Sequence, residues 1–157
     1  HTRWSGDWSS DVCSSDLLVY PNNNIQHAGL TYNNENNFIY HIFHNQPANQ
    51  IGYSGFTHLA RNYSAVTGAA IATKRSLLMK LGSFDEKLTI DYNDVDYCFK
   101  MNEIGYRVVY NPNVKLVHYE GSTIKRKQVS SDDKNYFYNK WKHKLEEKDP
   151  YYNYIIW

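Results

Sequence analysis

The stretch from Asn93 to His118, NDVDYCFKMNEIGYRVVYNPNVKLVH, restricts the fold more than any other part of the chain. Asn93 is a residue type that caps a helix, and Asp94 and Asp96 put negative charge in the first turn, where the helix dipole favours it. Val95, Cys98, Phe99 and Met101 form an apolar helical face, and Gly105 supplies the left-handed residue that ends such a helix. Tyr106 to Tyr110 follows at once as a strand, Asn111-Pro112-Asn113 as a turn, and Val114 to His118 as a second strand. A helix running directly into strands predicts an α/β core, and it lets the helix start and the strand end, with Asp94, Asp96 and His118, converge.

The flanking segments extend this pattern. Leu18 to Tyr63, with an asparagine-rich turn at 33–37, predicts short strands joined by irregular loops. Ala65 to Thr73, AVTGAAIAT, predicts a short buried strand in which Gly68 lets a backbone or a ligand come close. Lys74 to Leu81 reads as a helix with Leu77, Leu78 and Leu81 on one face and Gly82 as its terminator. After His118, Gly121 to Asp133 reads as polar and mobile. Asn135 to Glu147 is helical through Phe137, Trp141 and Leu145, and Asp149-Pro150 ends it. His1 to Leu17 has neither helical nor strand periodicity. Its run GDWSSDVCSSDL, Gly6 to Leu17, looks like the conceptual translation of a sequencing-library adapter, so 1–17 is expected to lie outside the fold, with Trp4, Trp8 and Cys13 carrying no function.

Composition narrows the function classes. Lys and Arg number 17 against 16 Asp and Glu, so no global field points to nucleic acid, and any charge-based function is local. No apolar run approaches the roughly 20 residues that span a bilayer, and no signal-peptide layout opens the chain, from which a soluble, cytoplasmic protein is expected. The 15 tyrosines suit both sugar binding and ordinary cores. Cys13 and Cys98 have no metal or redox spacing, and Cys98 reads as a buried free thiol.

Several pieces match one pattern in order: IQHAGL at Ile25, TGA at Thr67, GSFDE at Gly82, NDVD at Asn93, GYRVVYNP at Gly105, the histidine ending the next strand, and Trp141 followed by DPYYN at Asp149. This resembles bacterial family 2 glycosyltransferases that assemble surface polysaccharides, over nearly all of Ile25 to Asn153. The resemblance implies the C-terminal, acceptor-side half of a GT-A fold. The N-terminal half, which in that family binds the nucleotide and carries an Asp-X-Asp metal motif, is not in this sequence. Residues 18–124 are then the acceptor-side part of the domain, and 125–157 a polar linker with a C-terminal helix and tail. Asp94-Val95-Asp96 has the Asp-X-Asp spelling but lies after GSFDE, where the family places its acid/base residues.

What the resemblance implies chemically is inverting transfer of a hexosyl or deoxyhexosyl unit from a nucleotide sugar to a growing glycan or lipid-linked acceptor, with this chain inactive alone. A carboxylate must take the proton of the attacking hydroxyl. By the family's motif that role falls to Asp94, with Asp96 supporting it; without the motif, both are first-turn acids that stabilise a helix. His118 stands where related enzymes supply a late ligand to Mn²⁺ or Mg²⁺, and reads equally as a strand-end histidine bonded to a carbonyl. Thr67, Gly68 and Ala69 fit the wall of a sugar cleft or simple tight packing. His41 and His44 have an H-x-x-H spacing, but in a strand that points them to opposite faces, which predicts a surface or loop role. His27 matches the pattern without a chemical account. Lys125-Arg126-Lys127 fits either a solvated loop or attraction to a diphosphate or a membrane-bound anionic acceptor, and peripheral membrane association at the inner face goes with the latter. A carbohydrate-binding module without catalysis, and a metal-dependent hydrolase using Asp94, Asp96 and His118, are the alternatives.

Overall fold

The computed structural model describes residues 12–35, 38–119 and 130–152. Its strands are β1 (Val12–Val19), β2 (Ile25–His27), β3 (Leu30–Asn33), β4 (Phe38–His41), β5 (Arg61–Asn62), β6 (Ile71–Thr73) and β7 (Arg107–Val117). Its helices are α1 (Arg75–Lys80), α2 (Asn93–Glu103) and α3 (Ser131–Leu145), with short 3-10 turns at Tyr53–His58 and Gly68–Ala70. The architecture is mixed α/β. β1 runs parallel to β7, from Val12 beside Arg107 to Val19 beside Val117, and takes β2 and β6 as antiparallel partners. β5 pairs antiparallel with the other edge of β7, while β3 and β4 form a separate hairpin.

The central place of β1 differs from the expectation that 1–17 stands outside the fold, and does so at residues 12–17, the described part of the segment. Residues 12–17 carry most of its ladder; Cys13 is fully buried, and Ser14, Ser15 and Leu17 are buried too. Small polar side chains fit here because the strand is covered by neighbours on both sides, so packing rather than alternation specifies it. Trp4 and Trp8 lie outside the described residues.

Two further differences come from context. The expected turn at Asn111-Pro112-Asn113 is a bulge inside one long strand: Asp16 pairs with Asn111 but Leu17 with Lys115, and the Asn113 amide donates to Asn111 Oδ1 at 3.2 Å. The expected strand Ala65 to Thr73 is instead an irregular segment, a 3-10 turn, and then β6, whose pairing with β1 begins only at Ile71.

α2 forms as its apolar spacing requires. It ends at Gly105 (φ 81°), where the Tyr106 amide returns to the Met101 carbonyl at 3.0 Å. Its start differs by one residue: Tyr92, not Asn93, occupies the cap position, in the left-handed region at φ 64° and with no side-chain cap. The ring of Tyr92 stacks on Phe137 at 4.8 Å, an aromatic contact that offsets the strain of about 1–2 kcal/mol. α3 begins earlier than expected, because Ser130 accepts from the Asp133 amide and caps it. The buried Asp133 then accepts from the Ile90 and Asp91 amides at 3.1 Å, and Asp91 accepts from the Ser130 amide at 3.2 Å. These reciprocal bonds fix the loop that leads into α2. Phe137, Trp141 and Leu145 share one core with Val95, Cys98, Phe99 and Met101, so the C-terminal helix is part of the domain's interior.

The end of the chain is bound as tightly: Asp149 accepts from Thr31 Oγ1, Ser64 Oγ and the Tyr32 and Tyr151 amides at 2.7–3.3 Å, which gives the Asp-Pro pair a structural purpose. On the outside, Lys140 bridges Asp85 and Asp96 at 2.8 and 2.7 Å. The Lys140 ammonium holds the Asp85 carboxyl down at about 2, from an ordinary 3.8. A depressed folded value stabilises the protein above the unfolded value, and that contribution disappears as pH falls through the folded one. The urea midpoint is therefore expected to drop between pH 4 and pH 2 more in the wild type than in Asp85→Asn. Equal drops in the two proteins show that the pair contributes nothing. Among the described residues no helix is long and apolar enough to cross a membrane.

Candidate active site

A cavity of about 630 Å³ opens where the ends of β2 and β4, the segment before β6 and the start of α2 meet. Asp94 stands in its wall. One carboxylate oxygen accepts from the Gly68 amide at 2.7 Å and the other from the Val95 amide at 2.8 Å, which fixes the side chain. The close approach expected at Gly68 is made by this carboxylate: a methyl at Gly68 would lie 3.2 Å from Asp94 Cβ. Thr67 and Ala69 line the cavity, while Gly68 and Ala69 share a neighbouring depression of about 380 Å³ with Asp94 and Asn93. Asp94 thus separates two hollows. Burial pushes its carboxyl above 3.8, against the Gly68 and Val95 amides that pull it down. A carboxylate that is fixed and more basic than usual is suited to accept a proton.

His118, just beyond β7, lines the same cavity as Asp94. Its own amide extends the ladder to the Val19 carbonyl at 2.9 Å, and its Nδ1 lies 2.7 Å from Oε1 of the buried Gln26. With Nδ1–H donating to Gln26, Nε2 keeps its lone pair, the arrangement that orients a metal-binding imidazole. The donor chemistry of His118 therefore fits one position on a divalent ion. Among the described residues no three His, Cys, Asp or Glu side chains converge to complete such a site.

Asp96 does not join them. It is fully buried on the opposite side of α2, paired with Lys100 at 2.9 Å and Lys140 at 2.7 Å, and it accepts from Trp141 Nε1 at 2.8 Å. Two residues along a helix is a rotation of about 200°, so Asp94 and Asp96 cannot face one site. The side chain expected to support Asp94 instead ties α3 to α2. Asp96→Ala is expected to cost about 1–3 kcal/mol, chiefly by leaving the indole N–H of the buried Trp141 without its acceptor. Unchanged chemical denaturation in that variant removes the anchoring role.

The histidines depart further from expectation. His41 ends β4, and the chain then turns through the left-handed Phe43 and Asn45, at φ 57° and 64°. The strand geometry that separates H-x-x-H onto two faces stops at His41, and both rings reach the cavity 5.9 Å apart. His44 Nε2 lies 3.0 Å from the Tyr20 hydroxyl. His27 is fully buried between the Thr67 amide, 3.4 Å from Nε2, and His41 Nδ1, 3.3 Å from its own Nδ1. Burial, with His41 adding to it, keeps His27 well below 6.5 and therefore neutral. Tyr20, Gln26 and Tyr92 also line the cavity, and no local pattern marks them. Lys125-Arg126-Lys127 lies outside the described residues.

No protein-family profile matches the chain. It is 31% identical over 138 residues to the O-antigen biosynthesis protein RfbC of Myxococcus xanthus, a match covering 87% of this chain and 11% of that protein. It is 29% identical over 169 positions to the uncharacterized protein y4gI of Sinorhizobium fredii, covering 94% of this chain and 18% of that one. The chain thus spans less than a fifth of the length of either relative.

Proposed function

We propose that the chain is the acceptor-side part of an inverting glycosyltransferase of GT-A type, acting in the synthesis of a cell-surface glycan, with Asp94 as the general base. The observation that carries this reading is the Asp94 carboxylate, held by two backbone amides, raised by burial and set in the wall of an open cavity. The similarity to an O-antigen biosynthesis protein supports the substrate class. Asp94 would take the proton of the acceptor hydroxyl as that oxygen attacks the anomeric carbon and the nucleoside diphosphate leaves from the opposite face. Thr67 and Ala69 would border the sugar. Among the described residues, the cavity wall holds two carboxylates, Asp91 and Asp94, and no lysine or arginine. That favours a neutral saccharide over a diphosphate here, consistent with an acceptor side. His118 would present Nε2 to a divalent ion, whose charge offsets that of the leaving diphosphate.

The complete parent protein, given a nucleotide sugar and a glycan acceptor, is expected to release nucleoside diphosphate only when acceptor is present. The product should have inverted anomeric configuration by NMR. Equal diphosphate release without acceptor makes the protein a hydrolase, and a retained configuration removes the single-base mechanism. On this reading the isolated chain is expected to bind no nucleotide sugar in the low-micromolar range by calorimetry, since an acceptor-side part lacks the elements that hold the base and phosphates.

A further inference from the structure

The buried imidazole of His27 has no part in the chemistry just described, yet it touches the segment that holds Asp94. Backbone N–H groups only donate. The Thr67 amide, 3.4 Å from His27 Nε2, therefore requires a lone pair there, and a neutral His27 must carry its proton on Nδ1. That proton points at His41 Nδ1, 3.3 Å away, which must then accept. His41 is left with its own proton on Nε2. The sequence of donors is fixed throughout: Thr67 N–H to His27, His27 Nδ1–H to His41. The next amide along the chain, that of Gly68, is one of the two that hold Asp94.

We propose that His27 and His41 form a positioning relay for Asp94, in which the neutral His27–His41 pair holds Thr67-Gly68 in place and protonation of His41 releases it. An imidazolium at His41 carries N–H on both nitrogens, so it cannot accept from His27. His27 must then either lose that bond or move its proton to Nε2, where it opposes the Thr67 N–H. The second outcome removes the acceptor of the Thr67 amide and loosens the turn whose Gly68 amide donates to Asp94; the first leaves the His27 ring free to turn away from that amide. The tautomer also excludes a metal held between the two Nδ1 atoms, because such a ligand needs its proton on Nε2 and the Thr67 amide forbids that at His27. The other titratable groups on the cavity wall are His44 and Tyr20, His118 beyond β7, and Asp91, Tyr92 and Asp94 at the start of α2. His27 is fully buried while His41 is exposed on the cavity wall, so His41 is the member that protons from solvent reach.

The significance for catalysis rests on Asp94 being the base, but the relay is tested without any activity, on this chain. Long-range proton–nitrogen NMR is expected to show His27 protonated on Nδ1 and unprotonated on Nε2. As pH falls through the His41 titration, the Thr67 and Gly68 amide resonances should shift with it, and the Asp94 carboxyl carbon should show a second inflection at the same pH. In His41→Phe that second inflection should vanish while the carboxyl's own titration remains. A proton on His27 Nε2, or Thr67, Gly68 and Asp94 resonances that stay still while His41 titrates, overturns the proposal. The wild-type titration alone decides the matter if the variant does not fold. A relay found intact in a protein whose Asp94→Asn form keeps its activity would leave the relay standing and remove the catalytic reading.

Discussion

Replacing Asp94 by asparagine in the complete parent protein is expected to lower kcat by about 10²-fold to 10⁴-fold, the range that a positioned proton acceptor supplies. Asparagine keeps the size of the side chain, and its amide oxygen can still accept from the Gly68 or Val95 amide, the two contacts that fix Asp94. What it lacks is basicity. The other backbone amide then faces the asparagine NH2, donor against donor, so the melting temperature should fall by a few degrees while the fold and donor affinity are retained. The wild-type kcat should also fall on the acid side as pH drops through the carboxyl's value, which burial places above 3.8. A folded, donor-binding Asp94→Asn enzyme with undiminished kcat would falsify the assignment and direct attention to Asp91, the other carboxylate in the cavity wall. Asp96 is no substitute, since its carboxylate is committed to Lys100, Lys140 and Trp141.

Deleting residues 1–17 is expected to abolish the cooperative fold. The deletion removes most of β1, the strand that stands between β7 on one side and β2 and β6 on the other. Leu17 alone accounts for about 1.5–3 kcal/mol of burial, and the ladder to β7 is lost with it, against a total stability of about 5–15 kcal/mol for an ordinary domain. Loss of a sharp thermal transition, with reduced ellipticity, is the expected reading. If the shortened chain cannot be purified, Cys13→Asp asks the same question by placing a charge at a fully buried position of β1, and it should melt far below the wild type. Wild-type melting in either protein shows that the strand is dispensable.

The helix that carries the site was readable in the sequence, since Val95, Cys98, Phe99 and Met101 keep their period and Gly105 ends it, and these are local rules. So was the placing of Asp94 and His118 on one cavity wall, because only a glycine stop and two strand pieces separate the helix from the strand end. The side of the helix on which each acid lies was legible as well: the 3.6-residue period alone places Asp96 away from Asp94, and the expectation that both acids converge on the strand end left that period out. Other features depend on what lies across space. Cys-Ser-Ser-Asp forms a central strand because β7, β2 and β6 supply its partners, and no alternation in the segment itself announces that. His41 and His44 share a cavity because the chain leaves the strand after His41, so the two-residue period on which their separation rests no longer applies. His27 gains its chemistry only from the Thr67 amide and the His41 ring, contacts 40 and 14 residues away in the chain. Periodicity and end signals are written in neighbouring residues and can be read from them. The proton positions and burial that give Asp94 and His27 their character arise from groups brought together by folding, and only the tertiary structure decides them.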